Sequence, residues 1–147
     1  MKILAIASAG GHWVELLRLG PVFENQEVIY ASTKDSFRET VAGRPFFCIP
    51  DSNRWNKAGL LKSLWAIYKL VKAIRPGIII TTGSAPGLMA ILSGKFFNAK
   101  TVWIDSISQV DELSLSGKLA TLIADKTYTQ WPHLQKSNVL YAGNTLS

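Results

Sequence analysis

Ile3-Leu4-Ala5-Ile6-Ala7-Ser8-Ala9-Gly10-Gly11-His12-Trp13-Val14-Glu15-Leu16-Leu17 runs from a short apolar stretch, through two adjacent glycines, into apolar residues at helical spacing. A strand that ends in paired glycines and turns straight into a helix brings bare backbone close to a ligand. It also aims unpaired N–H groups and the positive end of the helix dipole at that ligand, the arrangement that holds phosphates best. The dinucleotide fingerprint needs a third glycine, and Trp13-Val14-Glu15 stand in its place. The turn therefore reads as an anion site built from Ser8, Gly10 and Gly11, and not specifically as an NAD site.

Outward from this turn the pattern alternates. Short apolar runs rich in β-branched residues occupy 3–7, 27–31, 46–49, 77–81, 101–104 and 126–129, and helical patterns lie between them at 13–19, 36–41, 60–74, 88–97 and 116–124. Continuous apolar strands alternating with helices specify a parallel sheet covered on both faces. The expected fold is a single α/β Rossmann-like domain over residues 1–147, with Pro76-Gly77 closing the long helix and Asn98 closing the next. Cys48, the only cysteine, sits among Phe46, Phe47 and Ile49 and is expected to be a buried packing residue. A lone cysteine and the absence of His/Asp/Glu clusters at ligand spacing predict no metal, and no other cofactor is expected.

In a doubly wound sheet, ligands collect outside the carboxyl ends of the strands. A second glycine turn, Thr81-Thr82-Gly83-Ser84-Ala85-Pro86-Gly87, opens a helix at that edge, and Thr82, Gly83 and Ser84 join the candidate phosphate-binding set. Glycine-rich turns between strands and helices are also plain topological necessities, so either loop alone says little. The fifth strand ends in Asp105-Ser106, and Ser106 joins the same phosphate-binding set. His12, at a helix N-terminus whose dipole disfavours a charged ring, is one candidate general base and Asp105 the other. Asp105 fits equally well as a cap of the following turn through Ser106. Glu15, a turn beyond His12, would orient its ring, and His133 is expected to be structural.

Lys and Arg number 16 against 10 Asp and Glu, a net charge of +6, while 48% of residues are hydrophobic. This balance favours phosphate-bearing partners and an apolar face covered by something. In the 60–74 helix Leu60, Leu64, Ile67, Leu70, Val71 and Ile74 form one stripe, expected to face the sheet. Lys62, Lys69 and Lys72 line the other side beside Leu61, Trp65 and Tyr68. That outer face fits a helix lying on anionic lipid, and a solvated lysine face explains the same spacing. No apolar run reaches the ~20 residues needed to span a bilayer. No leader is visible, and the expected location is peripheral, on the cytoplasmic face of the membrane. Nucleic acid is not an expected partner, because no reading motif accompanies the charge.

The opening turn with Glu15-Leu16-Leu17-Arg18-Leu19 resembles that of the membrane-recruiting subunit of the two-part UDP-N-acetylglucosamine transferase, which works in lipid-linked oligosaccharide synthesis. Thr81-Thr82-Gly83 with Pro86, Ile104-Asp105-Ser106, Leu113-Ser114-Leu115-Ser116-Gly117-Lys118, Gln130-Trp131-Pro132 and Tyr141-Ala142-Gly143 match the same family in register. The shorter bacterial exopolysaccharide and capsule homologues of the PssD/CpsF type are the nearest in form. The resemblance implies the N-terminal, acceptor-binding half of a GT-B glycosyltransferase, similar to that half of MurG. It further implies a polyprenyl-diphosphate-linked sugar acceptor, an inverting transfer from a UDP-sugar, and a separate donor-binding partner subunit. By this likeness Gly10, Gly11 and His12 form the acceptor loop and Gly83 lies near the lipid diphosphate. Asp105 stands where the family usually has Glu, and Gln109 where Arg is common. A membrane scaffold that only stimulates a self-sufficient transferase, and a stand-alone nucleotide-binding protein, are the other functions these residues allow.

Overall fold

In a computed structural model, which describes residues 2–51 and 56–145, every strand joins one parallel sheet. The strands are β1 (Lys2–Ile6), β2 (Glu27–Ser32), β3 (Phe46–Cys48), β4 (Ile78–Thr81), β5 (Lys100–Ile104), β6 (Lys126–Thr129) and β7 (Leu140–Tyr141). Their order is β3-β2-β1-β4-β5-β6-β7, with Ile3 opposite Val28 on one side and Ile78 on the other. Chain direction across the sheet thus reverses between β1 and β4, the switch point at which doubly wound folds place their ligands. The α/β Rossmann-like expectation is met. β7 adds a seventh strand, too short to announce itself by periodicity.

The helices are α1 (Gly11–Leu17), α2 (Lys57–Ile74), α3 (Ser84–Phe96) and α4 (Leu115–Ile123). The 36–41 segment is a 3-10 helix, Asp35–Val41, and a second, Gly20–Phe23, follows α1. α2, α3 and α4 pack side by side on one face of the sheet. There Ile67, Val71 and Ile74 meet Leu4, Ile6, Ile29 and Ile79, while Ile91 and Ala120 meet Trp103. Gly87 and Gly94 set how closely α3 approaches: a Cβ at Gly87 would stand 2.2 Å from Thr81 Oγ1, and one at Gly94 2.4 Å from Ile79 Cδ1.

On the opposite face α1 and the 3-10 segments cover only β1 to β3, through Trp13, Leu16, Phe23 and Val41. Trp13 stacks on Phe37 at 5.4 Å and meets Phe46 edge-on. Beside them Ile80, Val102, Ile104 and Tyr128 stay half-buried and floor a groove of about 450 Å3. Among the described residues no helix lies over it, unusual for a parallel sheet, whose faces are normally both covered.

Several local expectations need correction. Cys48 is exposed, as is Phe47, because β3 is an edge strand with one neighbour and its end outruns the cover above it. Glycine does not close α2. Arg75 caps it in the left-handed region (φ 51°), its guanidinium 4.4 Å from the Phe97 ring centre. Of the stripe assigned to the core, Ile67, Val71 and Ile74 are buried, whereas Leu60, Leu64 and Leu70 are only partly so. Ser63 takes a buried place among them and donates to the Pro50 carbonyl at 3.1 Å. Asn98 (φ 61°) ends α3 as expected.

Candidate functional site

The β1–α1 and β4–α3 junctions meet at the switch point. His12, in the first turn of α1, packs its ring directly on Gly83: a Cβ there would lie 2.8 Å from His12 Nδ1. Nδ1 stands 3.1 Å from the Thr82 carbonyl oxygen, and Thr82 Oγ1 donates back to the His12 carbonyl at 2.5 Å. A carbonyl only accepts, so Nδ1 carries the proton and Nε2 of the neutral ring keeps its lone pair. The geometry thus leaves a half-exposed imidazole with a basic nitrogen away from its anchor.

Backbone torsions at both junctions are unusual. Gly10 has φ 90° and Gly83 φ 137°, and Ser84 follows at φ 76°, a region that non-glycine residues seldom enter. Each glycine is a helix N-cap without a side-chain hydrogen bond, so the first N–H groups of α1 and α3 remain free of side-chain caps. Strained backbone of this kind collects at ligand clamps. Ser8 and Gly11 line the same turn, which Thr33 Oγ1 braces by accepting from Ala9 N at 3.1 Å.

Asp105 has a different setting. Only 2% exposed, it accepts from the Trp103 indole at 3.0 Å, from Ser114 Oγ at 2.6 Å and from Ser114 N at 2.9 Å. Ser114 Oγ in turn caps α4 by accepting from Gly117 N at 2.9 Å, and a Cβ at Gly117 would come within 2.5 Å of Asp105 Oδ1. The Ser-Leu-Ser-Gly-Lys segment is therefore a capping device closed by Asp105. The capped residue is Ser114, because Ser106 turns away to bond Ser108 Oγ at 2.9 Å.

Glu15 does not reach for the His12 ring. It is buried, and its Oε1 accepts from Ile107 N at 2.7 Å and from Gln130 Nε2 at 3.1 Å, while Oε2 has no partner among the described residues. Gln130 also donates to the Asp105 carbonyl and accepts from Thr145 N and Oγ1. Trp131 donates to the Ile107 carbonyl at 2.7 Å and His133 Nε2 to that of Val110. Glu15, Gln130, Trp131 and His133 thus clamp one loop, residues 105–114. Sequence spacing did not reveal this assembly. Its one visible trace was the Gln-Trp-Pro segment.

On the helical face of the sheet, α2 carries Leu61, Lys62, Trp65, Lys69 and Lys72 on its exposed side. Trp65 stacks on Tyr68 at 5.7 Å, with Lys69 Nζ 5.7 Å from the Trp65 ring centre. Among the described residues no helix is long and apolar enough to cross a membrane, and no three His, Cys, Asp or Glu side chains form a metal-binding group.

A parallel sheet in this order, with two glycine-bearing turns at its switch point, is the Rossmann-like half of a GT-B fold. MurG from Acinetobacter baumannii superposes with TM-score 0.78 at 12% identity, over 98% of this chain and 46% of that one. A UDP-N-acetylglucosamine 2-epimerase from Rickettsia bellii gives 0.76 at 11% identity, over 99% and 45%. The chain spans less than half the length of these structures. Residues 52–144 match the family described as oligosaccharide biosynthesis protein Alg14 like, and the chain belongs to that family. The curated UDP-N-acetylglucosamine transferase subunit ALG14 of Rattus norvegicus is 29% identical, over 92% of this chain and 78% of its own length. Its counterpart in Candida albicans is 28% identical, over 97% and 77%.

Proposed function

We propose that this chain is the acceptor-binding subunit of a two-part glycosyltransferase. A separate donor-binding subunit would bring a UDP-sugar, UDP-N-acetylglucosamine by the names of the curated relatives, and this chain would present a polyprenyl-diphosphate-linked acceptor at the membrane. The observation that carries the reading is the contact of His12 with Thr82 and Gly83. It joins two uncapped helix N-termini in one cleft, with no dinucleotide fingerprint to assign that cleft to a nucleotide. Backbone of Gly10, Gly11, Gly83 and Ser84, with the Ser8 hydroxyl nearby, supplies neutral donors suited to a diphosphate, while the Thr82 and Ser106 hydroxyls are engaged with His12 and Ser108.

In the proposed reaction His12 Nε2 takes the proton of the acceptor hydroxyl. The freed oxygen forms its bond to the anomeric carbon as the bond to the UDP leaving group breaks, which inverts that centre. Asp105, with both oxygens engaged, braces the 105–114 loop instead of accepting the proton. α2 rests on anionic lipid through Lys62, Lys69 and Lys72, with Leu61 and Trp65 between them, on the cytoplasmic face. Surface-polysaccharide assembly is the setting in which such a bacterial-type pair would work.

The test is reconstitution. This chain and a donor-binding chain from the same genome should together transfer sugar from UDP-N-acetylglucosamine, or another UDP-sugar, to a polyprenyl-diphosphate acceptor. No transfer from any UDP-sugar overturns the reading. Full turnover of the partner alone on soluble acceptor would make this chain a scaffold.

A further inference from the structure

Between Asp51 and Asp105 the chain contains no acidic residue, while Arg54, Lys57, Lys62, Lys69, Lys72, Arg75, Lys95 and Lys100 fall there. Half of the 16 cations and none of the 10 acids lie in residues 52–104, the segment that includes α2 and α3, so the rest of the chain is net negative. The outward sides of those helices are apolar as well as basic. Leu61 is 68% exposed, Trp65 60% and Phe96 73%, and with Leu92 they line an open groove of about 550 Å3.

α4 lies beside α3 on the same sheet face and continues this surface with a different character. Leu115, Leu119 and Leu122 recur at helical spacing opposite the buried Gly117 and Ala120, and Leu122 is 78% exposed. The one cation of α4, Lys118, is paired with Glu112 at 2.8 Å. An aqueous surface gains nothing from three stacked leucines, which the capping of the helix does not require.

We propose that the α4 leucines, with Leu92 and Phe96 of α3, enter the acyl region of an anionic bilayer, while the α2 lysines stay at the headgroups. This deepens the membrane contact proposed for α2 and rests on it. The occupant follows from charge complementarity. A face with lysines, Trp and Tyr at one side, bare leucines at the other and no acid through α2 and α3 matches the layering of a lipid interface. Lys69 lies beside Trp65 and Arg75 beside Phe97, so cations and aromatic rings share this face.

The full chain would be sedimented with vesicles of phosphatidylcholine alone and with added phosphatidylglycerol, at low and high salt. Wild-type protein should bind the anionic vesicles and stay partly bound at high salt, because insertion is not screened. Leu119→Ser with Leu122→Ser should weaken partitioning about tenfold or more and make what remains salt-labile. Leu122→Ser alone gives the same readout, with a smaller loss, should the double variant aggregate. Leucine variants that bind like wild type, while Lys62→Glu, Lys69→Glu and Lys72→Glu together abolish binding, overturn this proposal and leave the α2 contact standing. No binding by wild-type protein overturns both. A dimer that the leucine variants convert to monomer, with vesicle binding unchanged, makes the face a contact between copies and also overturns it.

Discussion

His12 and Asp105 look alike in a sequence, each a titratable residue at the end of a strand, yet folding separates them. The His12 ring is fixed at one nitrogen and free at the other, whereas every oxygen of Asp105 is engaged. His12→Ala should therefore lower kcat of the reconstituted pair by ~100-fold or more with little change in melting temperature. Asp105→Ala should act on stability. It strips the buried Trp103 indole and the Ser114 N–H of their acceptor, a loss of about 2–5 kcal/mol readable by urea unfolding. A wild-type rate in His12→Ala would remove it as the base. Gly83→Ala combines a positive φ with a Cβ driven into the His12 ring, and should cost about 1–3 kcal/mol along with turnover. The meeting of the two glycine turns was legible because both sit at strand ends. The choice between base and brace was not, since it depends on Ser114 and Trp103 closing around one carboxylate.

The alternation of apolar runs and helical stripes announces each strand but β7, and places the helices to within a few residues. Periodicity fails where burial is asymmetric: at the edge strand that exposes Cys48, and along α2, where Ser63 is buried while Leu60, Leu64 and Leu70 are only partly so. Changing Lys62, Lys69 and Lys72 together to Glu should reduce sedimentation with anionic vesicles. Equal binding would remove α2 from the contact. Between β5 and β6, Asp125 accepts from Thr101 N at 2.8 Å and Oγ1 at 3.1 Å. The Thr101 backbone N–H, ahead of its hydroxyl and of Lys95 and Lys100, holds the Asp125 carboxyl below the usual range despite opposing desolvation. A lowered carboxyl stabilises the fold above the unfolded value near 4, and that gain fades as pH falls through the lower folded value. Asp125→Asn should thus flatten the acid limb of a melting-temperature profile below about pH 4 and leave its shape above pH 6 unchanged. A limb of unchanged slope would rule Asp125 out as its source.

On the scale of the whole molecule, the sheet is closed by polar bonds between distant parts of the chain: Glu15 to Gln130, and Gln130 to Thr145. Gln130→Ala should remove about 2–4 kcal/mol of stability, since it takes one of two donors from the buried Glu15 carboxylate and the side-chain donor from the Asp105 carbonyl together. An unchanged urea midpoint would show that other groups hold the 105–114 loop. None of this was readable in the sequence, because a glutamate on an apolar helix and a glutamine before a tryptophan carry no mark of each other. The separation also bears on biosynthesis. At the roughly 5–20 residues per second of a ribosome, Gln130 emerges about 6–23 s after Glu15. Both donors to the Glu15 carboxylate, Ile107 N–H and the Gln130 amide, are made long after α1, so the docking of α1, and with it the seating of His12, is expected to follow synthesis of the far half of the sheet.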